Sequence, residues 1–269
     1  MPGPGGMALV AALFRAAPTA LAAEALAACP PPETPPQIVE RIEDARTVAL
    51  RDGTRLRLSG IEPAAAFLGD GPDPLPARLA ALLADAPVAV RALADAPDRH
   101  GRVPALVFLA SGEFLQERLV AEGVAVAFAA EEDPPCFDDL RAAERVAREN
   151  RAGAWRNAGP LPANRPDIVA TRIGRFAILQ GRVLSVGTHY TATWLDFGHN
   201  WSSDVTVRID RAGRQRFGGK AALEALAGQK IMVRGYLTES RGPLLEAGSP
   251  AAIEILATPG EILATPGEE

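Results

Sequence analysis

The chain has 269 residues, 48% of them apolar and 23% charged, which excludes a disordered polymer and gives room for about two domains. With 28 Lys+Arg against 33 Asp+Glu the formal charge is -5, so the chain is no polycation that coats nucleic acid indiscriminately. Two cysteines exclude a cysteine-dense scaffold and a four-cysteine zinc site.

Residues 1–29 read as a leader. Two alanine-rich apolar stretches, 8–14 and 16–28, flank Arg15 in the manner of an export signal. Leu26-Ala27-Ala28-Cys29 also has the form of a bacterial lipoprotein cleavage box, while Glu24 opposes insertion in either case. The expected location is therefore exported, periplasmic or lipid-anchored. Cys29 has two open fates: a lipid, which is the chain's one route to a membrane, or a disulfide to Cys136, which an oxidising compartment favours.

Residues 30–37 form a proline-rich tether, and the first folded unit is expected over 38–157. Segments 38–42, 46–51 and 54–61 are rich in branched residues and read as strands, with Asp52-Gly53 as a hairpin turn. Leucines at 75, 79, 82 and 83 predict a helix over 75–84. Strands follow at 88–93 and 103–109, a helix at 114–122 closed by Gly123, and an amphipathic helix at 137–151. Residues 158–172 read as a linker.

A second unit is expected over 173–257, with strands at 176–187, 190–197 and 204–209, a helix at 212–227, and strands at 229–238 and 243–256. Three strands, a helix and two strands is the order of an OB barrel, a five-stranded Greek key. The predicted class is thus mainly β with peripheral helices, one OB-type barrel followed by another. Residues 258–269 read as a disordered tail holding the second copy of EILATPG, a duplication at 254–260 and 261–267 best explained as a replication slip. Acidic groups outnumber basic ones in the first unit and roughly balance them in the second.

Three segments of the first unit carry a resemblance. They are Glu43-Asp44-Ala45-Arg46-Thr47-Val48 with Arg57-Leu58-Ser59-Gly60-Ile61-Glu62-Pro63, then Asp98-Arg99-His100-Gly101-Arg102, then Arg151-Ala152-Gly153-Ala154-Trp155. In this order, between Ile38 and Trp155, they resemble the thermonuclease family, whose type member is staphylococcal nuclease. That resemblance implies calcium-assisted phosphodiester hydrolysis on an OB barrel. Carboxylates converge on the ion, another carboxylate activates water, and two arginines clamp the phosphoryl oxygens.

Aligned on the family, both arginines are present as Arg57 and Arg102. The first metal-binding aspartate aligns with Arg46, and the second with Glu62, the one acidic position retained. Pro63 keeps a carbonyl where the family has threonine, and the general base aligns with Ala65. A guanidinium in place of a ligand carboxylate turns an attraction of about 4 kcal/mol at 4 Å and an effective dielectric of 20 into repulsion. Loss of a general base removes roughly another 10²–10⁴-fold in rate. No metal and no cofactor are therefore expected, calcium entering only if unrecognised residues serve as ligands. Asp98 before its glycine turn reads as a turn cap.

In the second unit, Tyr190, Trp194, Phe197 and Trp201 crowd into YTATWLDFGHNW. Aromatics on the second and third strands of an OB barrel can stack on bases, with Arg182 and Arg208 among the cations nearby; the same side chains can instead fill the core. Trp194 and Phe197 are three apart on a strand, hence on opposite faces. This unit resembles the C-terminal barrel that accompanies some bacterial thermonuclease-like domains, which brings no activity with it. The leading reading is a thermonuclease-like protein with a degenerate site that binds single-stranded DNA or RNA, or another anionic or protein partner. Two others stay open: an active calcium-dependent phosphodiesterase, and a structural envelope adaptor.

Overall fold

The computed structural model describes residues 29–68, 72–84, 86–129, 134–200 and 202–256. The leader up to residue 28, Trp201 and the duplicated tail lie outside the described residues.

In the first unit, short branched segments form β1 (Gln37–Ile42), β2 (Thr47–Leu50), β3 (Arg55–Leu58) and β4 (Ile61–Pro63). Helices α1 (Ala64–Leu68) and α2 (Leu75–Leu83) precede β5 (Pro87–Ala92) and β6 (Val103–Leu109). Then come α3 (Leu115–Ala121), β7 (Ala125–Ala127) and α4 (Phe137–Glu149). A closed barrel runs β1-β2-β3-β6-β5, with β3 and β6 parallel and the other pairs antiparallel. The β2–β3 turn is set by Gly53 at φ 88° and by Asp52 Oδ1, which accepts from Thr54 N at 2.9 Å.

The strand expected over 54–61 breaks at Gly60, whose φ of 81° turns the chain so that β4 leaves the barrel and pairs with β7. The glycine of the Arg151–Trp155 segment has a steric cause. A Cβ on Gly153 would stand 2.5 Å from Glu122 O, and one on Gly123 2.3 Å from Ala152 O, so the two helix ends touch through bare backbone. Leu75, Leu79 and Leu83 of α2, Leu119 of α3 and Leu140 of α4 close on Leu56, Leu106 and Phe108 of the barrel in one buried core.

The expected linker is part of the second unit. It contains β8 (Leu161–Pro162), which pairs with β9 (Phe176–Arg182), and α5 (Pro166–Ala170). Ala163 and Val169 of this stretch are buried in the second core, the apolar content that sequence composition under-weighted. Then follow β10 (Ser185–Thr188), β11 (Ala192–Asp196), β12 (Thr206–Asp210), α6 (Arg211–Arg216), α7 (Lys220–Glu224), β13 (Lys230–Glu239), β14 (Pro243–Glu246) and β15 (Ile253–Ile255). The helix expected over 212–227 is split because Gly218 and Gly219 both take positive φ, 84° and 94°.

The sheet order is β10-β11-β12-β14-β13-β9-β8. With β9 and β10 counted as one strand bent at residues 183–184, the neighbours run first, second, third, fifth, fourth and back to first. That is the order of the first barrel, here wrapped around Leu179, Leu195, Val207, Val233 and Leu245.

The two barrels share an apolar seam. Val126, Ala147 and Trp155 of the first pack with Phe176, Ile178 and Met232 of the second. At the seam Arg234 Nη1 donates to Glu144 Oε2 at 2.8 Å and to Ala127 O at 2.7 Å, and both charged side chains are 1% exposed. The tether is fixed at its start: Cys29 and Cys136 are joined by a disulfide, and Arg91 Nη2 donates to Pro30 O at 2.6 Å.

Candidate active site

The side chains aligned with a metal centre meet at the rim of the first barrel, beside the seam. Arg46 lies just before β2, Arg57 is on β3, Glu62 on β4 and Ala65 on α1, while Arg102 directly precedes β6. Arg57 is opposite Thr47 across the β2–β3 ladder and opposite Pro104 across β3–β6, so β3 carries its side chain to where Arg102 arrives.

Glu62 is 3% exposed and both of its oxygens are engaged. Arg46 Nη1 donates to Oε2 at 2.5 Å, and the Tyr236 hydroxyl, from β13 of the second barrel, donates to Oε1 at 2.6 Å. Burial pushes the Glu62 carboxyl above its ordinary value against the pull of Arg46, Tyr236 and Arg57. Burial and the neighbouring Glu62 push the Tyr236 phenol up to about 12.

The two arginines expected as phosphate clamps differ. Arg102 is held by its own turn: Nε and Nη2 donate to Asp98 Oδ2 at 3.0 and 2.9 Å, while Asp98 Oδ1 accepts from His100 N and Arg102 N. These bonds, the Arg102 N–H foremost, hold the Asp98 carboxyl well below the usual carboxylate range. Asp98 is a turn cap. Arg57 makes no side-chain hydrogen bond or ion pair among the described residues. Burial, then repulsion from Arg46 and Arg102, pushes its guanidinium below its ordinary value. A half-buried cation with two like charges beside it is a place where an anion gains energy.

Sequence reasoning placed Arg46, Arg57, Glu62 and Arg102 together. It missed Tyr236, because nothing local in KIMVRGYLTE marks the one tyrosine of β13 as the partner of a residue 174 positions away.

In the second barrel, of the five residues proposed for nucleic acid, Trp201 lies outside the described residues and the other four do not form one platform. Trp194 lies on the outer face of β11 with Arg208 of β12 opposite it in register, the guanidinium 6.0 Å from the ring centroid. Arg208 also pairs with Glu246 at 2.6 Å. Phe197 points the other way. It is 3% exposed and packs against Gly181, where a Cβ would come within 2.8 Å of the ring, so it offers no stacking face. Arg182 donates to Gly228 O on a different edge of the barrel, away from Trp194. Tyr190 is 80% exposed and lies outside the core that one reading assigned to it, its ring covered by Arg211 at 5.2 Å. Among the described residues the one three-group cluster with metal-ligand chemistry is Cys29, Cys136 and Asp139, and its sulfurs form the disulfide.

Residues 77–157 match the family model described as staphylococcal nuclease homologue. The chain thus carries a thermonuclease-like domain. The matched stretch runs from α2 through the Gly153–Arg156 turn and includes Arg102, but it begins after Arg46, Arg57, Glu62 and Ala65. No curated protein matches the chain.

Proposed function

We propose that the protein is a non-hydrolytic relative of the thermonucleases that holds single-stranded nucleic acid through its retained arginines. The observation that carries this reading is the occupancy of Glu62, with Arg46 on one carboxylate oxygen and Tyr236 on the other. Calcium takes roughly 6–8 oxygen ligands, and a centre of this kind is built on carboxylates free to turn toward it. Here the one aligned carboxylate is spent on two donors and a guanidinium occupies the neighbouring ligand position. The donor set does not fit calcium. Ala65, with no side-chain oxygen, activates no water.

What is left is electrostatic. Arg57, which makes no side-chain hydrogen bond or ion pair among the described residues and lies next to Arg102, suits a phosphate diester, whose oxygens match guanidinium geometry. The Cys29–Cys136 disulfide supports the exported location expected from the leader, and it excludes a thioether lipid on the same sulfur.

The test uses purified protein with single-stranded DNA and RNA, in calcium and in chelator. The expected result is binding that weakens as salt rises, with the strand left intact in both. Chelator-sensitive cleavage abolished by Arg57→Ala overturns the reading, and absence of binding at low salt leaves the envelope adaptor. A hydrolytic site should reappear only when Arg46→Asp and Ala65→Glu are combined with Tyr236→Phe, since the phenol otherwise keeps its hold on Glu62.

A further inference from the structure

We infer that the outer face of the second barrel carries a slot for a single nucleobase, built on Trp194 and Asp196, and that it favours bases bearing an exocyclic amine. This rests on the nucleic-acid reading above and adds to it where the bases go.

The slot follows from β-sheet register. Alternation sends Leu195 and Phe197 into the core and Trp194 and Asp196 outward. Trp194 has Arg208 opposite it on β12 and Gly187 opposite it on β10. Arg208 covers the ring from one side. On the other side Gly187 offers no side chain, and a Cβ there would meet nothing nearer than His189 Nε2 at 4.0 Å. The tryptophan thus borders an open cavity of about 510 Å³, whose further walls include His189, Asp196, Thr206 and Arg241. Stacking on an aromatic ring suits any base, since every base has a π face.

Asp196 supplies the selection. Its Oδ2 accepts from Ser185 Oγ at 3.0 Å and its Oδ1 from Thr206 Oγ1 at 3.4 Å. These two hydroxyls steady the carboxylate, and each oxygen keeps a lone pair for an incoming donor. An acceptor-only group suits the N4 amine of cytosine or the N6 amine of adenine and meets the carbonyl edge of thymine or uracil with repulsion. Arg241, in the left-handed region at φ 66° on the β13–β14 turn, is the one cationic side chain among the residues that line the cavity.

The same register links the slot to the first barrel. Trp194, Arg208 and Glu246 lie in one cross-strand row, and the β13–β14 pairing carries that row on to Tyr236, whose hydroxyl ends on Glu62. Three strand spacings, about 14 Å, separate Trp194 from Tyr236. A short single strand can therefore lie along this row with a phosphate at Arg57 and a base on Trp194.

The experiment measures binding of oligo-dC and oligo-dT to the full chain at low salt, with wild type, Trp194→Ala, Trp194→Phe, Asp196→Asn and Arg57→Ala. Oligo-dC is expected to bind more tightly than oligo-dT. Trp194→Ala should weaken oligo-dC binding about 5- to 150-fold, with Trp194→Phe recovering most of the loss. Asp196→Asn should narrow the dC-over-dT difference, weakening oligo-dC and strengthening oligo-dT as the repulsion is relieved. Wild-type affinity in Trp194→Ala together with loss in Arg57→Ala overturns the slot and leaves the proposed function standing. Equal binding of a polyglutamate peptide also overturns the slot. Failure of wild type to bind either oligonucleotide removes both.

Discussion

Glu62 and Glu144 are both buried carboxylates of the first barrel, and each is met by a side chain of the same strand, β13, two residues apart. Tyr236 reaches Glu62 on β4, whereas Arg234 reaches Glu144 on α4 and the Ala127 carbonyl on β7. Because β4 pairs with β7, two same-face residues of one strand dock on both members of one two-stranded sheet. The environments differ. Arg234 and Glu144 are sealed, with Ala127 N donating to the same Oε2 at 2.7 Å and Glu254 bridging to Arg148. Tyr236 stays 48% exposed, at the edge of a rim where Arg57 makes no side-chain hydrogen bond or ion pair among the described residues. One contact fastens the barrels together. The other caps the buried Glu62 at the rim, beside the half-buried Arg57.

The comparison is tested most severely at the sealed end. Arg234→Ala leaves the Glu144 charge buried without its principal partner, and about 3–5 kcal/mol should disappear from the unfolding free energy in a urea titration. A loss below about 1 kcal/mol would mean that the seam is held by its apolar packing alone. Reduction of the Cys29–Cys136 bond, away from both carboxylates, should lower stability by about 2–4 kcal/mol through the unfolded chain while leaving oligonucleotide affinity unchanged.

At the open end the effects shrink. Tyr236→Phe should cost about 1 kcal/mol, the range of a net intramolecular hydrogen bond, because the phenol itself stays half-exposed. It should also abolish the phenolate absorbance step near pH 12. Because that pKa is raised on folding, the stability due to Tyr236 is complete below the ordinary phenol value and fades as pH climbs through about 12.

The smallest effect is a slope. The raised pKa of Glu62 gives stability that is complete in acid and lost as pH rises above the ordinary carboxylate range. Wild type should therefore lose ground to Glu62→Gln over that interval. A difference that stays flat with pH would show that Arg46 offsets the burial of Glu62 completely.

Much of the architecture is legible from local pattern. Branched runs, the Asp52-Gly53 turn and the leucine spacing of α2 depend on neighbours within a few residues, and the strands and helices of the first barrel follow them. Where local pattern failed, backbone geometry intervened: Gly60 ended a strand, and Gly218 and Gly219 divided a helix. The stretch taken for a linker was misjudged because two buried side chains, Ala163 and Val169, leave no periodicity.

At the site, the sequence alone determined which groups are available: Arg46, Arg57, Glu62, Ala65 and Arg102, and Trp194 and Phe197 on opposite faces of a strand. Residue identity and a period of two are enough for that. Only the tertiary structure decided which strand face lies inward, that Tyr236 closes on Glu62, and that Trp194, Arg208 and Tyr236 share a row. These depend on how two barrels pack and on register between strands far apart in the chain, where no short-range pattern constrains the answer.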